Sequence, residues 1–323
     1  MSKLLFFEKL PKGRIFNSFD GMNQTQIKRL QSLTGHRDAV YTLHQGAEAS
    51  KFFSGSGDGM VVSWDLKHPE TGDLIARLPN SVYALRYLPG RDILVAGHNY
   101  DGIHLLDWKN KKEVASLKLT AAAIFDLQSF EDRLLVATGD GTLTLVDLTT
   151  LSVVNKVKTS NKSARTIAIN QSSGEIAVGF SDFFVRVFDK DLGLKHEWQA
   201  HQNSVFTLRY TPDGRRLMSG SRDARLKVWA ADSGYKQEEE IVAHMYAINH
   251  IEFSPDGKHF VTCSMDKSIK VWDSDPVKLL KVIDRARHAG HGTSVNKLLW
   301  TDYQDQLVSA SDDRSISVWQ IIF

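Results

Sequence analysis

The chain has 323 residues, with 40 Lys plus Arg against 38 Asp plus Glu and a formal net charge of +2. No basic stripe or charged tail stands out, so a nucleic-acid partner is not expected. The single cysteine, Cys263, excludes a disulfide within these residues and reads as a small buried hydrophobe, which fits a reducing, cytoplasmic location.

Residues 1–25 stand apart from the rest. Leu4-Leu-Phe-Phe7 is apolar but is interrupted at once by Glu8 and Lys9. A secretory core needs about 7–15 apolar residues and a spanning helix about 20, so neither is expected here, and no membrane contact. The segment is expected to form an extension packed on the domain that follows, residues 26–323. The alternative is a docking segment presenting Phe6, Phe7, Phe16 and Phe19. Ile27-Lys-Arg-Leu-Gln-Ser-Leu33 alternates as a strand should and runs into Thr34-Gly35-His36.

From there a strand–turn–strand pattern recurs. Ser54-Gly-Ser-Gly-Asp58 leads to Trp64-Asp65, Ser219-Gly-Ser-Arg-Asp223 to Trp229, Thr262-Cys-Ser-Met-Asp266 to Trp272-Asp273, and Ser309-Ala-Ser-Asp-Asp313 to Trp319. Weaker copies lie between the first and second: Asp101 to Leu106-Asp107, Asp140 to Val146-Asp147, and Asp182 to Phe188-Asp189. Anchors at 64, 106, 146, 188, 229, 272 and 319 are spaced by 42, 40, 42, 41, 43 and 47 residues. Short strands repeating near 40 residues mean four strands per repeat and radial stacking, so seven anchors predict seven blades. Thr211-Pro-Asp-Gly214 and Ser254-Pro-Asp-Gly257 are turns between first and second strands. The long last spacing reflects an enlarged connection over 284–290, and Glu238-Glu-Glu240 reads as a solvated outer strand.

This constellation resembles the WD-repeat family of β-propellers, in which a Gly-His pair precedes each Trp-Asp. Gly35-His36, His201, His244 and Gly290-His291 supply that histidine, and the resemblance covers residues 26–323. The implied fold is all-β: a seven-bladed β-propeller with four antiparallel strands per blade. The last repeat ends after its third strand and one strand is spare at the N-terminus, so pairing the two is expected to close the ring.

Four polar sets follow, each a structural network: His36/Ser54/Asp58/Trp64, His201/Ser219/Asp223/Trp229, His244/Thr262/Asp266/Trp272 and His291/Ser309/Asp313/Trp319. The Trp indole N–H needs an acceptor, which the hydroxyl supplies, while the His can reach the Asp. Ser, His and Asp together invite a hydrolase reading, but four copies each ending in a Trp speak for structure. The middle repeats hold Leu78, Thr120 and Ser160 at the His position, and Tyr100 or Asp101 competes for the turn Asp of the second. These blades are expected to hold by apolar packing alone and to be the more mobile side of the ring.

Function must be argued from the surface. In the family, the position opening each first strand lines the mouth of the central channel on the partner-binding face. Here it holds Tyr41, Tyr83, Phe125, Arg165, Phe206, Asn249 and Asn296, and the residue before the turn Asp adds Arg222, Met265 and Asp312. The aromatic residues suit an inserted Arg, Lys or apolar side chain, and Arg165 a carboxylate; the alternative is that they merely plug the channel.

The expected function is a non-enzymatic scaffold or adaptor that binds proteins or peptide segments on this top face, as a monomeric propeller within a larger assembly. A small-ligand-binding or catalytic propeller is the second reading. No cofactor, catalytic set or metal site is expected; His288 and His291 lack a third ligand at a recognisable spacing. A ubiquitin-ligase substrate receptor loses support, because the Trp-Asp-x-Arg motif of that class is absent from Trp64-Asp65-Leu66-Lys67 and Trp272-Asp273-Ser274-Asp275.

Overall fold

Alternating β-branched and aromatic residues between turn signals build strands of four to eight residues, and the computed structural model describes residues 25–323. Between Gln26 and Ile322, 28 strands form seven four-stranded sheets in which every pairing is antiparallel. The first six blades are built in chain order, each strand hydrogen-bonding the next. The seventh takes three strands from the C-terminal end and its outermost strand, Gln26–Leu33, from the N-terminal side. That strand pairs with Ile316–Ile322 from Gln26↔Ile322 to Leu33↔Ile316. The ring therefore closes as expected. The packing expected of residues 1–24 lies outside the described residues.

The hydrophobic core is the set of seams between neighbouring blades, not one central mass. Phe52, Met60, Val62 and Trp64 of blade 1 pack on Val308, Ile316 and Val318 of blade 7. Phe53 and Val61 on the other face of blade 1 pack on Leu85, Leu94 and Leu106 of blade 2. Alternation along each strand thus supplies both seams of a blade, as period-2 patterning requires. No helix among the described residues is long and apolar enough to cross a membrane. The enlarged connection holds one helical turn, Arg285–His288, capped by the Asp284 side chain.

The four polar sets form as networks. Each indole nitrogen lies 2.8–3.0 Å from its hydroxyl: Trp64 to Ser54, Trp229 to Ser219, Trp272 to Thr262, Trp319 to Ser309. The histidine Nε2 atoms lie 2.7–2.8 Å from the same hydroxyls, and the Nδ1 atoms 2.9–3.3 Å from Asp58, Asp223, Asp266 and Asp313. An indole can only donate and a carboxylate can only accept, which sets every proton. The His donates through Nδ1, its Nε2 accepts from the hydroxyl, and the hydroxyl accepts from the Trp. This is the connectivity of a hydrolase triad, but Ser54, Ser219, Thr262 and Ser309 are wholly buried and the Trp occupies the hydroxyl's lone pair.

Blades 2, 3 and 4 depart from the expectation of apolar packing alone. The hydroxyl position holds the buried Ala96, Val136 and Val178, and the Trp position Leu106, Val146 and Phe188, so donor and acceptor are lost together. Other polar groups take over. In blade 2, Asp92 accepts from the Trp108 indole at 2.9 Å and the Tyr87 hydroxyl at 2.7 Å. Bonds from Lys109, Trp108 and Tyr87 hold the Asp92 carboxyl down at about 2. In blade 3, Thr138 donates to Asp140 at 2.6 Å. In blade 4 the buried Arg186 binds Asp182 at 2.9 Å, binds Glu197, and lies over the Phe180 and Phe184 rings. Each of these blades thus carries a polar contact of its own in place of the network, although the buried Trp198 indole N–H of blade 4 has no hydrogen-bond partner among the described residues.

Candidate functional site

Each first strand starts on the top face and runs down the channel wall. The connections before it and the turns between second and third strands therefore share that face. Six of the seven rim residues are the extra residue of a β-bulge. In blade 1 Val40 pairs with Ser56 and Thr42 with Gly55, which leaves Tyr41 unpaired. The same skip leaves out Phe125, Arg165, Phe206, Asn249 and Asn296. Tyr83 stands just before its strand, Leu85–Leu88. A bulge bends the strand and re-aims its unpaired side chain, here toward the axis.

All seven predicted rim residues line one cavity of about 460 Å³ at the channel mouth, and each is half-buried. The rim divides into two arcs. Through blades 1 to 5, Tyr41 meets Tyr83 at 4.8 Å between ring centroids, and Tyr83 meets Phe125 at 5.7 Å. The Arg165 guanidinium lies 4.0 Å from the Phe125 centroid and 4.8 Å from that of Phe206. Burial lowers the Arg165 pKa while the nearby Tyr83 raises it, yet an arginine stays charged. Among the described residues it has no hydrogen-bond or ion-pair partner.

Blades 6 and 7 form the other arc, where the amides bind neighbouring blades. Asn249 donates to Ser294 Oγ at 3.0 Å and to the Val295 carbonyl at 2.8 Å. Asn296 donates to the Val40 carbonyl at 3.1 Å and to Asp312 at 2.7 Å. These residues, and Asp312 with them, staple the ring. Arg222 and Met265 are exposed on the same face.

The channel below the rim is charged, which the sequence reading missed. Asp126, His250 and Lys297 stand one residue past the rim position, and His44, Arg86, Arg209 and Glu252 three past it. The signal was present as inward-facing alternation along the first strands. Of the three acids that line the channel, Glu252 binds Arg209 and Asp126 accepts from the amides of Leu127 and Ile167 at 2.8 and 2.7 Å, while Asp302 is exposed. Burial pushes the Asp126 carboxyl up and the Lys297 amine down, and lowers His44 to about 3. Burial also pushes the Cys263 thiol up, which keeps it protonated.

A second group was also missed. His98, Asp101 and His104 converge on the top-side turn of blade 2, with Glu113 beside them. By count Tyr100 takes the Asp place of that turn, while the Asp101 carboxylate faces the two histidines. The sequence signal was the His-x-x-Asp-x-x-His spacing across a predicted hairpin.

The comparisons agree with this geometry. The WD40 family profile (WD domain, G-beta repeat) matches residues 27–65, 193–230, 236–273 and 283–320, the four stretches that carry the full networks. A guanine nucleotide-binding protein subunit beta of Zea mays is 23% identical over 243 residues, covering 70% of this chain and 63% of that protein. Periodic tryptophan protein 2 of Saccharomyces cerevisiae is 26% identical over 226 residues, which is 65% of this chain but 22% of that protein. Both matches thus leave more than a third of the relative's length unmatched. The WD40 β-propeller domain of Doa1 superposes with a TM-score of 0.81 at 17% identity, covering 91% of this chain and 97% of that one. With four profile matches, seven four-stranded blades and this superposition, the chain is a seven-bladed β-propeller that carries four WD40 repeats.

Proposed function

We propose that the protein is a non-enzymatic interaction scaffold whose top face takes a peptide segment carrying an acidic group next to an apolar side chain. The observation that carries this reading is Arg165, a half-buried guanidinium stacked between two rings at the channel mouth with no acidic partner among the described residues. A carboxylate accepts two parallel N–H bonds from such a fork, and the surrounding rings keep water from competing. Five exposed large apolar residues, Tyr100, Phe183, Met245, Tyr246 and Met265, lie in top-face turns and connections. The remaining exposed large hydrophobics among the described residues sit on the blades' outer strands or at Ile322. Exposed apolar side chains ringing a polar-anchored pocket suit a protein partner. The committed acids of the channel and the sealed network hydroxyls weigh against the catalytic reading. Likeness to a G-protein β subunit and other WD-repeat proteins supports the scaffold reading.

The test is co-purification from native lysate with wild type, Arg165→Gln and the Tyr41→Ala/Phe206→Ala double variant, matched for melting temperature. A partner lost in both variants, and competed by an acidic peptide from that partner, is the expected result. An unchanged partner set would overturn the reading and leave the rim side chains as channel plugs.

A further inference from the structure

We propose that His98, Asp101 and His104 form a binding site for one divalent first-row metal cation, with Zn²⁺ the ion whose geometry they fit. The blade 2 hairpin places them. His98 ends the second strand, Ile93–His98, Asp101 lies in the turn, and His104 belongs to the third strand, Gly102–Asp107. His104 pairs across the ladder with Ala96, two residues before His98, so both imidazoles stand on one face of the sheet as diagonal neighbours.

The three ligand atoms make a compact triangle. His98 Nδ1 is 3.0 Å from His104 Nε2, and Asp101 Oδ2 is 3.5 Å from each. A tetrahedral ion with bonds of about 2.0–2.1 Å separates its ligands by roughly 3.3–3.4 Å. Those edges match a shared ion with only small adjustment. Two imidazoles and a carboxylate also suit a borderline cation better than Mg²⁺ or Ca²⁺, which prefer all-oxygen shells.

A supporting group is in place. Glu113, on the fourth strand, Lys112–Lys118, accepts from His104 Nδ1 at 2.7 Å. That bond requires the Nδ1–H tautomer and leaves the Nε2 lone pair pointing at His98 and Asp101. A carboxylate behind a ligating histidine orients the ring and raises its basicity. Without metal, the two rings are joined by one N–H···N bond, with His98 Nδ1 donating to His104 Nε2. In that state His98 Nε2 accepts from Asn80 Nδ2 at 3.5 Å. The cation takes the place of the Nδ1 proton, and the proton then on Nε2 requires the Asn80 amide to turn its oxygen toward it.

Both imidazoles are nearly covered, with side chains 11% and 13% exposed, while Asp101 is 39% exposed. The site therefore opens to solvent on the carboxylate side and keeps a fourth position for water or a donor from a bound protein. It lies in one of the three blades without a His–Ser–Trp network, where a cation would cross-link the second and third strands.

The test uses the full chain stripped with a chelator and titrated with Zn²⁺ alone by calorimetry and with Co²⁺ alone by absorption. One equivalent, an intense tetrahedral Co²⁺ spectrum and a Zn²⁺-dependent rise in melting temperature are expected. His98→Ala and His104→Ala should abolish this site, and Glu113→Gln should weaken Zn²⁺ binding about 10–100-fold. His288→Ala should leave it unchanged. Circular dichroism melts of the stripped variants identify any that fail to fold; for those, Asp101→Asn in the exposed turn replaces them. A wild-type protein that binds no Zn²⁺, or binding unchanged in the folded ligand variants, would overturn the site. A weak six-coordinate Co²⁺ spectrum would overturn the tetrahedral assignment.

Discussion

Blades 1, 5, 6 and 7 and blades 2, 3 and 4 share one backbone plan but satisfy it with different chemistry. The first group repeats one buried relay from Trp through a hydroxyl and a His to an Asp. The second removes indole and hydroxyl together and places a different polar contact in each blade. The propeller therefore constrains the seam, which must be apolar and closed, more tightly than the means of tying each blade. A relay is worth repeating because its members satisfy one another, and losing one member strands the others.

The largest expected effect tests closure, on which both groups depend. Deleting residues through Leu33 removes the outer strand of blade 7 and the buried Leu33. We expect loss of the cooperative thermal transition, read by calorimetry. A ring that still melted cooperatively near the wild-type temperature would show that blade 7 stands without its fourth strand.

Next, the two groups can be set against each other directly. His201→Ala strips a donor from Asp223 and an acceptor from Ser219, at 0% exposure of the serine, and should cost about 3 kcal/mol. Thr138→Val in blade 3 removes one hydroxyl, shared between Asp140 and the Thr142 carbonyl, and should cost about 1 kcal/mol. Urea unfolding of both variants measures the gap, and equal losses would erase the distinction drawn here.

Acid should separate the groups as well. Burial lowers the pKa of His201 and His244 below 6.5. The folded state therefore holds them neutral while the unfolded chain takes up a proton. Their contribution is complete above about pH 6.5 and falls as pH drops through the depressed folded values. Burial raises the Asp223 carboxyl, but bonds from His201 and the amides of Gln202 and Arg225 outweigh it and hold it at about 2. Its contribution is complete above the unfolded value near 3.9 and is lost as pH falls toward 2. Blade 3 contains no histidine, and its Asp140 is lowered although burial opposes it, so it should show only the second stage. Residue-resolved amide exchange from pH 7 to 4 should register the first stage in blades 5 and 6 before blade 3.

The smallest effect concerns motion at neutral pH. Amides of residues 78–189 should exchange modestly faster than those of 201–320. The polar replacements in blades 2 to 4 narrow that difference, and uniform protection would show that they fully substitute for the relay.

The seven anchors and the four relays were legible in the sequence because each rests on a spacing that recurs with the repeat, and the ring-closing strand because the last repeat lacks a fourth strand that the N-terminal side can supply. A hydroxyl four residues before an Asp, itself six before a Trp, lies within one hairpin, and a hairpin brings such residues together without help from the rest of the chain. The rim was legible through the family resemblance, which implies that the residue opening each first strand lines the channel mouth. What blades 2 to 4 use instead was not. Asp92 meets Trp108 across 16 residues and Arg186 meets Glu197 across 11, with no repeated counterpart to reveal either.

The amino-acid sequence by itself thus determined the number of blades, their order and the strand that closes them, because hydrophobic alternation and turn chemistry act over a few residues. Only the tertiary structure decided which rim side chains remain free. Asn249 and Asn296 are drawn into bonds with the next blade, while Arg165 lies between two rings with no acid bound to it among the described residues. Those outcomes depend on how closed blades set side chains from distant repeats a few ångströms apart, and no local spacing encodes that distance.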